Sequence, residues 1–311
     1  MEPKAKKPRK PYPSDLTDAQ WEILEPLVPP VLPGPQEAEY TRREIVNAIL
    51  YINRSGCQWR MLPHDLPPWE SVSGYFYRWR KDGTWQTIHD ALRRRVRERE
   101  KRSPEPTAAI LDSQSAKTTE MGGPRGYDAG KKVKGRKRHL LVDVLGLVVA
   151  VLVLAANIQD RDGGWQILSA IHQAYPSIVK VWADGAYAGE LVRRAREELK
   201  IGIEIVKPPP GTHTFQVLPR RWVVERTFGW LNRERRLSKD YERLPSTTEA
   251  WVEVAMIRLM TRRLARPTGQ SALPPAANPT PRPLLALPPA GPPLLALPPA
   301  RFDSNNQAIS S

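Results

Sequence analysis

Cysteine is nearly absent from this sequence of 311 residues, and no apolar run is long enough to cross a bilayer. The single Cys57 excludes a disulfide framework and a cysteine-rich metal site. The apolar stretch 140–156 is interrupted at Asp143 and Gly146, and the remainder is shorter than the ~20 residues that a membrane helix needs. The first ten residues lack the apolar core of a secretory signal. These absences predict an intracellular, cytoplasmic protein without a membrane partner.

Acidic residues are also scarce relative to basic ones. The chain has 33 Asp and Glu against 48 Lys and Arg, which gives a net charge of +15 and a pI near 10.1. A surface with this charge attracts polyanions, and nucleic acid is the first candidate. The charge would equally suit a ribosomal protein or one that binds membrane surfaces, so it defines the class of partner and no more.

Proline is concentrated at the C-terminus. After Arg266 the chain holds 12 of its 33 prolines and repeats Leu-Leu-Ala-Leu-Pro-Pro-Ala. A segment with this composition and no periodic apolar face is predicted to be disordered. A second break, Ser-Pro-Glu-Pro at 103–106, separates helical patterns from short apolar runs. We therefore predict four segments: a basic flexible arm at 1–11, a helical domain with a basic linker at 12–102, an α/β domain at 107–265, and a disordered tail at 266–311.

The region before the break is predicted to be helical. Two capping-box pairs place helix starts near residues 18 and 42, namely Thr17 with Gln20 and Thr41 with Glu44. The stretch 69–81 carries its apolar residues on one helical face, and a last helix follows at 85–97. A small helical domain with one basic helix is what helix-turn-helix recognition of DNA needs. The candidate DNA contacts on the helix at 69–81 are Arg78, Arg80 and Lys81. A bundle that is basic merely for solubility stays open as the alternative.

Short apolar runs follow residue 107 and predict strands, at 108–111, 140–144, 147–154, 178–183 and 201–206. Helical patterns at 165–174 and 190–199 separate the last three runs. This alternation predicts an α/β fold and is consistent with a ribonuclease-H-like core. A further helix is predicted to begin at Pro219, because the fixed φ of proline is already helical. Its polar face carries Arg221 and Glu225.

Three acidic residues stand where they could converge. Asp112 and Asp184 each close an apolar run, and Glu225 lies on the polar face of the late helix. Taken singly, each aspartate is more often a turn residue, and Glu225 with Arg221 is an ordinary (i, i+4) pair. Taken together, three carboxylates without histidine or cysteine partners suit Mg²⁺ or Mn²⁺. Two such ions, about 3.5–4 Å apart, activate a water or a 3′-hydroxyl and stabilise the leaving oxygen of a phosphodiester. The competing acids are Asp143 as a turn residue, and Asp160 and Asp162 as a helix cap.

A basic run lies just before the second apolar run. Six of the eight residues at 131–138 are basic, namely Lys131, Lys132, Lys134, Arg136, Lys137 and Arg138. We expect this stretch to be a loop that contacts DNA. The alternative interpretation is a solvated hairpin tip.

Several ordered motifs resemble those of one family. In the helical region they are Leu-Thr-Asp-Ala-Gln-Trp at 16–21, Ser-Gly-Cys-Gln-Trp-Arg-Met-Leu-Pro at 55–63 and Trp-Arg-Lys-Asp-Gly-Thr-Trp at 79–85. In the α/β region they are Asp-Ser-Gln-Ser at 112–115, Gly-Arg-Lys-Arg-His-Leu-Leu-Val-Asp at 135–143, Ala-Asp-Gly-Ala-Tyr at 183–187 and Arg-Trp-Val-Val-Glu-Arg at 221–226. By these motifs the chain resembles the DDE-type transposases of bacterial insertion sequences, in the insertion-sequence-four/five superfamily, from residue 12 to about residue 264.

The resemblance implies a ribonuclease-H-like catalytic core behind an all-α, helix-turn-helix-like DNA-binding domain. It implies that Asp112, Asp184 and Glu225 are the catalytic and metal-binding triad, with two Mg²⁺ or Mn²⁺ ions. The expected activity is cleavage and strand transfer at the terminal inverted repeats of the element. The expected partners are double-stranded DNA, both ends and target, and further copies of the chain on that DNA, in the bacterial nucleoid.

The family signature around the glutamate is Tyr-x2-Arg-x3-Glu-x6-Lys, and this chain departs from it at two places. Arg221 and Glu225 keep their positions, but Leu218 stands where tyrosine is expected and Asn232 where lysine is. The candidate DNA contacts on this helix are Arg221, Asn232 and Arg233. Two other functions stay open: a DNA-binding repressor that has lost catalysis, and a general nuclease with the same core.

Overall fold

The structure is a computed structural model that describes residues 9–30, 40–206 and 220–267. The predicted basic arm up to residue 8 and the proline-rich tail from residue 268 lie outside the described residues, as do Leu218 and Pro219. No helix within the described ranges is long and apolar enough to span a membrane.

Four α-helices lie in the described part of the region before the break. They are α1 (Asp18–Leu24), α2 (Arg42–Ser55), α3 (Trp69–Lys81) and α4 (Thr84–Arg99). The predicted helix starts are confirmed: Gln20 and Thr17 form the full capping box of α1, and the Thr41 hydroxyl accepts a hydrogen bond from the Glu44 amide at the start of α2. Gly56 ends α2 with φ of 73°, a left-handed conformation that suits glycine.

One sheet contains the six strands among the described residues. These are β1 (Ala108–Lys117), β2 (Gly126–Asp128), β3 (Val133–Asp143), β4 (Val148–Ala155), β5 (Lys180–Ala183) and β6 (Gly202–Ile205). β3 pairs antiparallel with β1 on one side and with β2 and β4 on the other, while β1, β5 and β6 run parallel. The five predicted strands are confirmed, and β2 is an addition that its polar sequence did not reveal.

Helices cover both faces of this sheet. They are α5 (Asp160–Ala174), α6 (Glu190–Glu198), α7 (Arg221–Leu231) and α8 (Pro245–Leu264). Alternation along β1 assigns the faces, because Ala109 and Leu111 pack in one core with α5 and α6, whereas Ile110 packs in the other with α7 and α8. The predicted start of the late helix at Pro219 falls outside the described residues, and the described helix begins at Arg221.

The sequence patterns did not predict α8, which joins the helical region to the sheet. Trp251 of α8 is fully buried and stacks on Phe76 of α3, with ring centroids 4.1 Å apart and an interplanar angle of 20°. α8 also packs against α4 and β4. The apolar residues of α1–α4 therefore share one core with those of α7 and α8. The domain boundary near residue 102 stays a prediction.

The basic run at 131–138 is not the loop that its composition predicts. β3 begins at Val133, and Arg136, Lys137 and Arg138 are buried within it. The prediction failed because strands are recognised from apolar residues. Here cations are buried instead, and hydrogen bonds to backbone carbonyls compensate for their lost hydration.

A buried ion pair connects α4 to the sheet. Arg97 of α4 donates to Oδ2 of Asp143 at the end of β3, and the Asp143 side chain is fully buried. The other carboxylate oxygen accepts hydrogen bonds from the amides of Leu145 and Leu147, each 2.9 Å long. Asp143 is thus the turn residue proposed for it, and this role is structural.

We expect Asp143→Ala to lower the free energy of unfolding by about 3–5 kcal/mol, because the Arg97 guanidinium then remains buried without its counter-charge. Urea unfolding followed by circular dichroism measures the change. The matched control is Arg193→Ala on α6, which breaks an exposed pair and should alter stability little. Equal stability of the two variants would mean that the buried pair does not hold α4 to the sheet.

Candidate active site

The pairing of β1 with β5 brings two of the predicted acids together. The register sets Ala108 opposite Lys180 and Ile110 opposite Trp182. Continued by two residues, it sets Asp112 opposite Asp184, the first residue after β5. Neighbouring strands lie about 4.8 Å apart, so the two carboxylates occupy the same end of the sheet.

Helix α7 carries the third acid. Its apolar side packs in the core through Val224 and Phe228, and α7 contacts β1 and β3. Arg221 and Glu225 lie one turn apart on the other side, and Nη2 of Arg221 is 3.6 Å from Oε1 of Glu225 and 3.7 Å from Oδ2 of Asp184. The Arg221 guanidinium therefore joins Asp184 to Glu225.

The environment of Asp112 disfavours its charge. Burial raises the pKa of this carboxyl to about 6, and the neighbouring negative charge of Asp184 adds to the effect. The Ser113 amide, which donates a hydrogen bond of 2.7 Å to Oδ1, acts in the opposite direction, as do the charges of Arg221 and Lys131. A partly buried carboxylate with a perturbed pKa beside a second one is typical of a functional site.

The donor set suits a hard divalent cation, although the side chains are not arranged around one. Three carboxylates supply only oxygen donors, and a cation would relieve the repulsion between Asp112 and Asp184. Across the described ranges, no group of three or more His, Cys, Asp or Glu side chains is placed to hold a metal ion. The positive charge between Asp184 and Glu225 is that of Arg221.

The competing acid Asp160 serves the site indirectly. It accepts a hydrogen bond from Oγ of Ser113 at 2.7 Å and forms an ion pair with Nζ of Lys137 at 3.1 Å. It does not cap α5, the role that the sequence suggests for Asp160 and Asp162, because α5 already begins at Asp160 and the N-cap is Gln159. Asp160 thus fixes the residue next to Asp112.

Tyr187 is a site residue that the sequence patterns did not single out. It is buried, and burial raises the pKa of its hydroxyl well above the usual value, with the charges of Asp112 and Asp160 contributing. Its place in the motif Ala-Asp-Gly-Ala-Tyr, three residues after Asp184, was the available signal. Tyr187 closes the inner side of the site against α5, where it approaches Gly164.

Three of the six basic residues at 131–138 are buried. Arg136 donates to Oδ1 of Asp240 at 3.0 Å and to the carbonyls of Glu242 and Arg243, each at 2.7 Å. Arg138 donates to the carbonyls of Leu237 and Lys239. Lys137 is likewise buried, against Asp160 and the Ile158 carbonyl. Arg136 and Lys137, which the sequence suggested as DNA contacts, are therefore buried structural residues. Arg138 is also buried but lines a cavity, while Lys131, Lys132 and Lys134 are exposed.

The three candidate DNA contacts on α3 also differ in their exposure. Arg78 and Lys81 are exposed. Arg80 is half-buried and donates to the hydroxyls of Thr247 at 2.6 Å and Ser246 at 3.2 Å in the first turn of α8. Beyond α7, the predicted contacts Asn232 and Arg233 are exposed.

Two family models match the chain in order. One, described as "Putative transposase of IS4/5 family", matches residues 16–89, and the other, described as "Transposase DDE domain", matches residues 103–260, about half of the chain. No solved structure matches the chain.

Three curated proteins from two bacteria, Burkholderia cepacia and Sinorhizobium fredii, are similar to this chain. A "Putative transposase for insertion sequence element IS402" of Burkholderia cepacia is 31% identical over 153 residues, which are 46% of this chain and 70% of that protein. An "Insertion element IS402 uncharacterized 16.2 kDa protein" of the same organism is 27% identical, over 26% of this chain and 60% of its own length. "Uncharacterized protein y4sN" of Sinorhizobium fredii is 33% identical, over 25% of this chain and 63% of its own length.

The order of the two family matches follows the order of the structure, with the first on the helices and the second on the sheet that carries Asp112 and Asp184. The relative that is most extensively covered is itself named as a transposase. The chain belongs to the DDE transposases of the IS4/5 type.

Proposed function

We propose that this protein binds the terminal inverted repeats of its own insertion sequence and catalyses metal-dependent DNA cleavage and strand transfer there. The observation that carries the proposal is the register of β1 and β5, which sets Asp112 opposite Asp184 beside the Arg221–Glu225 pair. Two carboxylates facing each other across parallel strands, with a third on a covering helix, form a site for phosphodiester chemistry.

The strand arrangement supports a ribonuclease-H-like core. Antiparallel strands β4, β3 and β1 are followed by parallel strands β5 and β6, and helices cover both faces. Such a core presents its acids at the ends of the central strands. The helices α1–α4 would then supply DNA recognition of the helix-turn-helix type, with the exposed Arg78 and Lys81 of α3 as contacts.

Asp112, Asp184 and Glu225 would hold Mg²⁺ or Mn²⁺, in two sites. When bound, the metal supplies an activated water or 3′-hydroxyl and stabilises the leaving oxygen. The chain's own residues orient the reactants. β1 and β5 fix the two aspartates through the sheet, and Arg221 either orients Glu225 or contacts the phosphate to be cut.

The DNA is expected to approach over the exposed cations around these acids. Lys131, Lys132 and Lys134 lie at the start of β3, and Nζ of Lys131 donates to the Ser113 carbonyl at 3.0 Å, next to Asp112. On and after α7, the partly exposed Arg221, the neutral Asn232 and the exposed Arg233 are the further candidate contacts. We further propose that copies of the chain assemble on the two element ends.

A DNA-binding repressor without catalysis is the second candidate. The observation in its favour is that a guanidinium, rather than a set of converging carboxylates, lies between Asp184 and Glu225. Cleavage of the element's own end by the purified protein, with and without Mg²⁺, separates the two functions.

We expect Asp112→Asn and Asp184→Asn to lower the rate of end cleavage by about 10³-fold or more, because each removes a charge that stabilises the bound metal, worth several kcal/mol. DNA binding should remain, which gel shift with uncleaved ends measures. The matched control is Asp162→Asn, an exposed acid of α5, which should cut normally. Cleavage near the wild-type rate in either variant would exclude that aspartate from the triad.

We expect Arg221→Ala to slow single-turnover cleavage more than Arg233→Ala, because Arg221 contacts Asp184 and Glu225 while Arg233 is exposed after the end of α7. Pre-bound DNA with excess enzyme measures the chemical step separately from binding. If the two variants cut equally fast, Arg221 would have no part in positioning the acids or the phosphate.

On α3, the double variant Arg78→Ala/Lys81→Ala should bind the end more weakly. The slope of its affinity against salt concentration should be shallower by about 0.9 for each phosphate that the variant no longer neutralises. Arg80→Ala is the contrasting variant, since Arg80 bonds Ser246 and Thr247. It should lower the urea midpoint and leave the salt slope unchanged. The reverse pattern would mean that Arg80 faces DNA and that its hydrogen bonds with α8 are dispensable.

A further inference from the structure

A cavity of about 290 Å³ lies next to the candidate active site. The end of β1, the start of β3 and the segment after α7 enclose it. Its polar lining includes Lys117, Arg138 and Lys239, together with Asn232, Gln114 and Ser238. None of the described residues that line it is acidic, so the cavity presents three cations and two side-chain amides.

The positive charge of this cavity is only partly compensated. Arg138 is buried and donates to two carbonyls, Leu237 at 2.7 Å and Lys239 at 3.0 Å, while its Nε has no hydrogen-bond partner among the described residues. The acid behind it, Asp240, accepts hydrogen bonds from Arg136 and from the hydroxyl of Thr248 through Oδ1, while its Oδ2 has no hydrogen-bond partner among the described residues. The charge of Asp240 is thus shared between Arg136 and Arg138. A buried cation without a full set of partners is costly, and an anion in the cavity would offset that cost.

The two exposed lysines are held side by side by the backbone. The Asp240 amide donates to the Lys117 carbonyl at 2.8 Å, and Thr118 forms a bridge with Asp240. Lys117 and Lys239 thus line the same cavity from two segments that are hydrogen-bonded to each other. Their side chains are exposed, and a strongly hydrated ammonium on a flexible stem suits a DNA phosphate.

The distance between the cavity and the three acids is short enough for a DNA strand of a few nucleotides to reach both. Gln114 is two residues after Asp112 on β1, about 7 Å away at the rise of a strand. Asn232 is seven residues after Glu225, about 10 Å along a helix. Along the axis of a duplex a DNA strand advances about 3.4 Å per nucleotide, so these separations, taken along that axis, correspond to two or three nucleotides.

We propose that this cavity binds a backbone phosphate of the element's end, two or three nucleotides from the phosphate that is cut. Lys117 and Lys239 supply there the positive charge that the family signature places at position 232, where this chain has Asn232. The inference rests on the proposed function, because it presupposes that the DNA end reaches Asp112 and Asp184. It adds two contact residues that lie outside the signature.

The test compares two double variants that remove the same charge. Lys117→Gln/Lys239→Gln alters the cavity, and Lys132→Gln/Lys134→Gln alters exposed lysines that do not line it. The probe is a pre-cleaved end duplex. A series of such duplexes is prepared, and in each of them one phosphate within four nucleotides of the cut is replaced by a neutral methylphosphonate. Urea unfolding checks that both variants are folded.

We expect the cavity variant to bind the unmodified end about tenfold more weakly than wild type, with a shallower salt dependence. One methylphosphonate, two or three nucleotides from the cut, should weaken wild-type binding and leave the cavity variant unaffected, because both changes remove the same interaction. The control variant should remain sensitive to that same methylphosphonate. Adding Asn232→Lys to the cavity variant should restore binding.

Two results would overturn the inference while leaving the proposed function intact. They are a cavity variant that binds like wild type, and a methylphosphonate effect that adds fully to the cavity substitutions. If the wild-type protein neither binds nor cuts the end, both proposals are wrong.

Discussion

Two arginines buried in β3 fix the position of everything that follows α7. Arg136 and Arg138 donate to backbone carbonyls of residues 237–243, so this irregular segment lies against the sheet with its carbonyl groups satisfied. Because the segment connects α7 to α8, its attachment sets where Glu225 faces and where α8 begins. A planar guanidinium holds five donors in a fixed fork and can join carbonyls that lie farther apart than a compact lysine ammonium reaches.

The active-site geometry depends on this attachment together with one strand register. The register of β1 and β5, continued by two residues, brings Asp112 opposite Asp184, and the third acid of the proposed triad comes from a helix. Glu225 comes from α7, which packs beside α8 on the same face of the sheet. The ion pair of Arg221 with Asp184 joins the end of β5 to α7, whereas the pair of Arg221 with Glu225 lies within α7.

The sequence predicted what apolar patterns and residue chemistry can encode. The apolar runs located β1 and β5, and Asp184 directly follows β5 as expected. Asp112 was expected at a strand end but lies in the middle of β1, because β1 continues through polar residues to Lys117. The helix starts at Thr17 and Thr41 followed from local capping. β3 was partly missed because its buried arginines look like a solvated loop until their carbonyl partners, about 100 residues away, are known. α8 was missed because a helix buried on most of its circumference lacks a clear polar face. The position of Arg221 between two acids is likewise a tertiary property.

The same tertiary contacts determine which basic residues remain accessible to a DNA partner. Most buried arginines form an ion pair with a buried acid. Examples are Arg97 with Asp143, Arg136 with Asp240 and Arg258 with Glu234. Each such pair is neutral, so the net charge of +15 remains with the other residues. Arg138 is different, because its hydrogen bonds go to carbonyls and it shares the charge of Asp240 with Arg136. Its guanidinium lines the cavity next to the candidate active site, where under our proposal a phosphate of the DNA backbone would add a second negative charge.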